Sequence, residues 1–144
     1  MIRALALAAL LPATAQAQAV VTACDVEWAS AANVADPVES SFAYFANGEV
    51  RLLLLDTIEP ALGYNHILLQ WPDDTLPGGR CRVISAVEGG GGFAGVDFAA
   101  LSARYDPLVG LVIEVPVNTA DAPEVTPRIL TISLDRLTDR VSAE

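Results

Sequence analysis

One histidine, two cysteines and eighteen carboxylates are the groups with which this chain could do chemistry. The histidine, His66, lies in Asn65-His66-Ile67, where alternation places it on one strand face with Leu68 and Gln70. A serine or cysteine nucleophile needs such a base within hydrogen-bond reach and a third group to orient it. No G-x-S-x-G turn accompanies His66. A small exported hydrolase using His66 is therefore the alternative reading, and a satisfied or exposed strand histidine the first.

Carboxylate pairs for glycoside hydrolysis can be drawn from Asp56, Glu59, Asp73 and Asp74. Among eighteen acids such pairs arise by chance, so they assign no catalytic residue. A zinc site would have to borrow carboxylates, because one histidine and two cysteines do not complete four ligands. For calcium, Asp73-Asp74 and Asp121 to Glu124 group oxygen ligands, and neither follows an EF-hand pattern. No metal and no cofactor is assigned.

Residues 88–98 read EGGGGFAGVDF, in which Gly90, Gly92 and Gly95 satisfy G-x-G-x-x-G. A dinucleotide-binding unit would use these glycines to approach a pyrophosphate, with Glu114 on a ribose hydroxyl. Glu88 stands where that unit needs a buried apolar residue, and too little chain remains for a second unit. The run reads instead as a flexible bridge over a sheet edge, pinned by Phe93 docking on the core. Its amides around Gly91 to Gly95 are a residual candidate for a carboxylate or other small anion. Trp28 and Trp71 each end a strand pattern and read first as core fillers. If both were exposed near one loop end they would form an aromatic platform for a sugar or peptide.

These groups need a scaffold, and the N-terminus indicates where it is built. MIRALALAALLPATAQAQA has one early cation, an apolar stretch from Ala4 to Leu11, Pro12, and small residues in A-x-A spacing. That is the layout of a secretory signal peptide over residues 1–19, too short to span a bilayer. Cleavage after Ala15 or Ala17 fits the same rule, and Ala19 is preferred. Residues 20–144 then form one domain, long enough to bury a core and without a membrane span. In an oxidising compartment Cys24 and Cys81 can form only one intramolecular disulfide. Val21-Thr22-Ala23-Cys24 also loosely matches the motif before a lipid-modified cysteine, which would make a lipid-anchored envelope protein. The two fates exclude each other, and Gln16 and Gln18 interrupt the apolar run that lipidation expects.

Charge acts by exclusion. The net charge is −10, with arginine the only strong cation, and removing Arg3 with the leader makes it one unit more negative. Such a chain repels phosphate backbones and anionic lipid, which argues against nucleic-acid and membrane-surface partners.

Short runs rich in Val, Ile and Leu, punctuated by Gly, Pro, Asn and Asp, predict a β-dominated domain. The expected strands are Val20–Trp28, Ser41–Ala46, Glu49–Asp56, Tyr64–Trp71, Arg80–Val87, Leu108–Val117 and Arg128–Asp135. Asn47-Gly48 predicts a type I′ hairpin, and the unbroken Leu52–Leu55 run predicts a strand covered on both faces. Asp97–Arg104 is the one expected helix, with Asp97 as N-cap and Phe98, Leu101 and Tyr105 on one stripe. Asn118 to Pro127 reads as a loop, and Arg136 to Glu144 as a short edge or a loose tail. The expected class is thus all-β or β-dominated, an antiparallel sandwich or partly open barrel of six to seven strands with one short helix. The first functional expectation is an exported, periplasmic, non-enzymatic binding or envelope-accessory domain with a protein partner at the cell envelope.

Overall fold

The computed structural model describes residues 19–58, 63–121 and 124–144. Residues 1–18 of the expected leader, Glu59 and residues 122–123 lie outside them. The strands are β1 (Val20–Thr22), β2 (Phe42–Phe45), β3 (Val50–Asp56), β4 (Asn65–Trp71) and β5 (Arg80–Ser85), then β6 (Gly95–Val96), β7 (Ser102–Asp106), β8 (Gly110–Asp121), β9 (Glu124–Asp135) and β10 (Arg140–Ala143). They form two antiparallel sheets. The first has the order β1-β5-β4-β3-β2, and the second β10-β9-β8-β6, with β7 also paired to β8. Neither sheet closes into a barrel.

Alternation explains how the sheets share a core. Val50 and Leu52 of β3, Ile67, Leu69 and Trp71 of β4, and Ile84 of β5 belong to the same buried cluster as residues of the second sheet. From β8 come Ile113, Val115 and Val117, and from β9 Leu130, Ile132 and Leu134. Each such side chain contributes roughly 1.5–3 kcal/mol when removed from water. The opposite face of the first sheet is covered as well. Part of the chain between Thr22 and Phe42 packs there: Trp28 stacks on His66, Val34 bridges to Leu55 beyond the end of β2, and Leu55 and Val83 are buried. Leu52 and Leu55 are thus buried on opposite faces, as the unbroken leucine run requires.

The Cys24–Cys81 disulfide ties that covering segment down. Thr22 pairs with Val83, and continuing the register by two residues puts Cys24 opposite Cys81. The first strand therefore stops at Thr22 instead of running to Trp28, because beyond Cys24 the chain turns away across the sheet. Trp28 sits in that covering segment and not on a strand.

Three further expectations are corrected. Asp97–Arg104 is not a helix. The Asp97 carboxylate does accept from the Ala99 and Ala100 amides, but it caps one turn only, and β7 begins at Ser102. Tyr105, expected on the buried stripe, is exposed. The segment from Asn118 to Pro127 is not a loop, because β8 and β9 stay paired from Leu111–Leu134 out to Asp121–Glu124. Pro116 and Pro127 survive in this ladder for a geometric reason. The carbonyls of Pro116 and Asn118 accept from Asp97 and Ala94, so these residues face away from β9. Pro127 pairs with Asn118 and therefore faces the open side of β9. Neither missing N–H is needed between β8 and β9. Ten strands result among the described residues, more than the six to seven expected.

The Asn47-Gly48 connection does join β2 to β3, but as a four-residue turn from Ala46 to Glu49. Ala46, Asn47 and Gly48 all take positive φ. At the C-terminal end, β10 supplies the short edge, continued by mutual hydrogen bonds between Thr131 and Glu144.

Candidate functional site

On the outer face of the first sheet the β4–β5 register sets His66 across from Ser85. His66 Nδ1 and Ser85 Oγ are 2.9 Å apart, and both residues are buried. Trp28 stacks on the imidazole, with ring centroids 5.7 Å apart and planes at 29°. Burial lowers the His66 pKa below its usual 6.5, because charging the ring there forfeits hydration. The imidazole is held neutral. Its tautomer follows from whether Ser85 donates to Nδ1 or accepts from it.

A recess of about 500 Å3 opens beside this group, lined by Glu27, Trp28, Asn33, Thr57, His66 and Gly89 to Gly91. Two of its polar side chains are already engaged with backbone. Asn33 donates to the Trp28 carbonyl at 3.1 Å and Thr57 to the Tyr64 carbonyl at 3.2 Å. Among the described residues no carboxylate hydrogen-bonds His66, so the third member of a catalytic triad is missing. Ser85 is 2 % exposed and does not itself line the recess. The indole Nε1 of Trp28 is buried without a partner.

The glycine run carries the chain from the first sheet to the second. A Cβ at Gly92 would lie 2.5 Å from the Asn65 carbonyl oxygen, so only glycine allows the two backbones to meet. Phe93 pairs with Asn65 and is buried in the core, as expected of the pin. At Gly90, where φ is 91°, a Cβ would strike the Trp28 ring at 2.8 Å. The amides of Gly92, Phe93 and Ala94 donate to the carbonyls of Gly63, Asn65 and Asn118. Gly95 lies in β6 against Asn118. With these three amides committed to backbone and no helix after the run, the segment at Gly90, Gly92 and Gly95 differs from the strand–loop–helix layout of a dinucleotide-binding unit.

Trp28 and Trp71 do not share a platform. Trp28 lies on the outer face of the first sheet, whereas Trp71 fills the core and donates from Nε1 to Asp139 at 3.3 Å. The Arg82 guanidinium lies 5.9 Å from the Trp71 ring centroid. The carboxylates are dispersed in a similar way. Asp73 accepts from the Thr75 amide and hydroxyl and pairs with Arg80, which also reaches Asp139 at 3.2 Å. The Thr75 hydrogen bonds, then Arg80, hold the Asp73 carboxyl below its usual range. Asp56 accepts from the Ile58 amide. Among the described residues, no group of three or more His, Cys, Asp or Glu side chains could hold a metal. Cys24 is joined to Cys81 by a disulfide, the pairing expected from the even cysteine count.

One surface feature was not visible in the sequence. β2 ends the first sheet, and no strand pairs with its far side among the described residues. Leu54 N–H donates to the Ser41 carbonyl, which fixes the alternation along the strand. Ala43 and Phe45 turn their peptide groups to β3, while Phe42 and Tyr44 turn theirs outward. Phe42 and Tyr44 stack at 6.2 Å, and Tyr44 is 61 % exposed. The other edges differ. β1 lies against β10, β6 is two residues long, and β7 carries the Arg104–Asp106 ion pair. Charges and short strands of this kind guard an edge against pairing, and β2 has neither charge nor proline.

Known protein families, curated proteins and solved structures offer no significant match to this chain. Among the described residues no helix is long and apolar enough to cross a membrane.

Proposed function

We propose that the chain is an exported, non-enzymatic domain, a disulfide-stapled antiparallel sandwich that binds a protein partner at the cell envelope through β2. The leader-like residues 1–19 and the disulfide support a periplasmic or secreted location. The observation that carries the binding reading is the β2 edge. It offers outward peptide groups at Phe42 and Tyr44 beside an aromatic pair, with no charge to repel an incoming strand. An extended segment added there gains backbone hydrogen bonds for affinity and aromatic contact for selectivity. The net charge of −10 favours a basic partner over a second copy of the same acidic chain.

Gentle extraction from the envelope and co-purification test this reading. Wild-type protein retains a partner, and Tyr44→Lys releases it without altering the thermal midpoint. Recovery of the wild type as a lone monomer contradicts it.

A small hydrolase remains the second reading, favoured by the 2.9 Å His66–Ser85 contact beside an open recess. It requires turnover of chromogenic esters, glycosides or peptides that disappears in both His66→Ala and Ser85→Ala.

A further inference from the structure

At the end of the molecule where β4 begins, a cavity of about 190 Å3 lies between the sheets. Phe93, Val117 and Leu130 wall it, and Ala86, packed on the core from the first sheet, is too short to fill the space. Gly91 and Gly92 form another side, where the crossing chain contributes backbone and no side chain. Interiors pack as densely as organic crystals, so an apolar space of this size forfeits dispersion contacts that an occupant would restore. Water is a poor occupant, since it needs two to four polar partners. An apolar cavity of about 150 Å3 holds a benzene ring, which scales here to roughly eight non-hydrogen atoms.

The polar groups are at the mouth. Arg128 and Glu144 line it with opposite charges, and Thr119 adds a hydroxyl. A ligand charged in either sense would meet one attractive and one repulsive group, whereas a hydroxyl or amide can accept from one and donate to the other. We propose that this cavity binds a small neutral amphiphile, whose ring or six-carbon body lies between the sheets and whose hydroxyl or amide stays at the mouth. The site is separate from the β2 edge, and neither proposal depends on the other.

Benzyl alcohol is a suitable probe, with benzoate and benzylamine as charged counterparts of the same size. Titrated into the intact domain and followed by methyl NMR, benzyl alcohol should saturate with shifts centred on Ala86, Val117 and Leu130. The two charged analogues should bind at least tenfold more weakly. Ala86→Leu should abolish the shifts and raise the thermal midpoint by filling the space. If Ala86→Leu fails to fold, the smaller Ala86→Val narrows the same space and should weaken binding. The proposal is overturned by a wild type that shows no saturable shift, by equal binding of the charged analogues, or by undiminished binding in a folded cavity-filled variant.

Discussion

His66 Nδ1 lies 2.9 Å from Ser85 Oγ on two adjacent strands, with both residues buried and Trp28 stacked on the imidazole. The pair has the composition of a base and a nucleophile, yet its surroundings are those of a buried polar plug. An unpaired polar group in that position would cost about 1–3 kcal/mol, and the mutual hydrogen bond removes that cost.

The first consequence is a pH dependence. The folded-state pKa of His66 is lowered by burial, so between that value and the unfolded 6.5 the unfolded chain binds more protons. Stability is therefore full above pH 6.5, falls as pH drops below it, and levels off under the folded value. Asp73 and Asp135, both lowered chiefly by side-chain hydrogen bonds from Thr75 and Thr138, add a separate loss that begins near pH 3.8. Urea midpoints between pH 4.5 and 8 should show the histidine step in the wild type. The step should vanish in His66→Asn.

Trp28 supplies part of that burial, and Trp28→Ala should raise the His66 pKa toward 6.5. Because His66 is the only histidine, one imidazole NMR titration reads the value without assignment. An unchanged pKa would show that the sheet alone desolvates the ring. Trp71→Ala should behave differently, costing about 3–5 kcal/mol as a core truncation with no effect on the imidazole.

How much of this was legible beforehand depended on which interactions were local. The β2–β3 connection declared itself through Asn47-Gly48, and the cysteine pair through its even count. Phe98, Leu101 and Tyr105 imitated a helical stripe because three residues at that spacing also suit a turn entering a strand. Pro127 closed the expected loop and Pro116 lay in the expected strand before it, and only the ladder's alternation shows that their nitrogens face away from the β8–β9 pairing. The His66–Ser85 contact needed the β4–β5 register, which the eight residues from Pro72 to Gly79 do not dictate. The open edge at β2 needed the strand order, a property of the whole sheet.

Reduction of the disulfide should loosen the segment that carries Trp28. Chain-entropy arguments give a loss of about 2–4 kcal/mol for opening a loop of this length. Replacing both Cys24 and Cys81 with serine should lower the urea midpoint and redshift the tryptophan emission as Trp28 leaves its stack. A double variant with unaltered stability and emission would show that the covering segment holds without the staple.

Gly92→Ala tests the crossing between the sheets. Its methyl would meet the Asn65 carbonyl, so the Phe93–Asn65 pairing must part. The expected result is a loss of more than about 1 kcal/mol, since this is backbone collision added to ordinary helix or strand preferences. Gly48→Ala meets no atom within 4 Å and should be milder, limited to the strain of its positive φ.

The central claim is that β2 is where a partner docks, and photo-crosslinking addresses it most directly. A benzophenone amino acid placed at position 44 in cells that export the protein should give one adduct, heavier than the chain by a foreign polypeptide. The same group at Ile129, which is 59 % exposed on the other sheet, should give none. No adduct at 44, the same adduct at both positions, or an adduct of twice the exported chain's own mass would contradict the account.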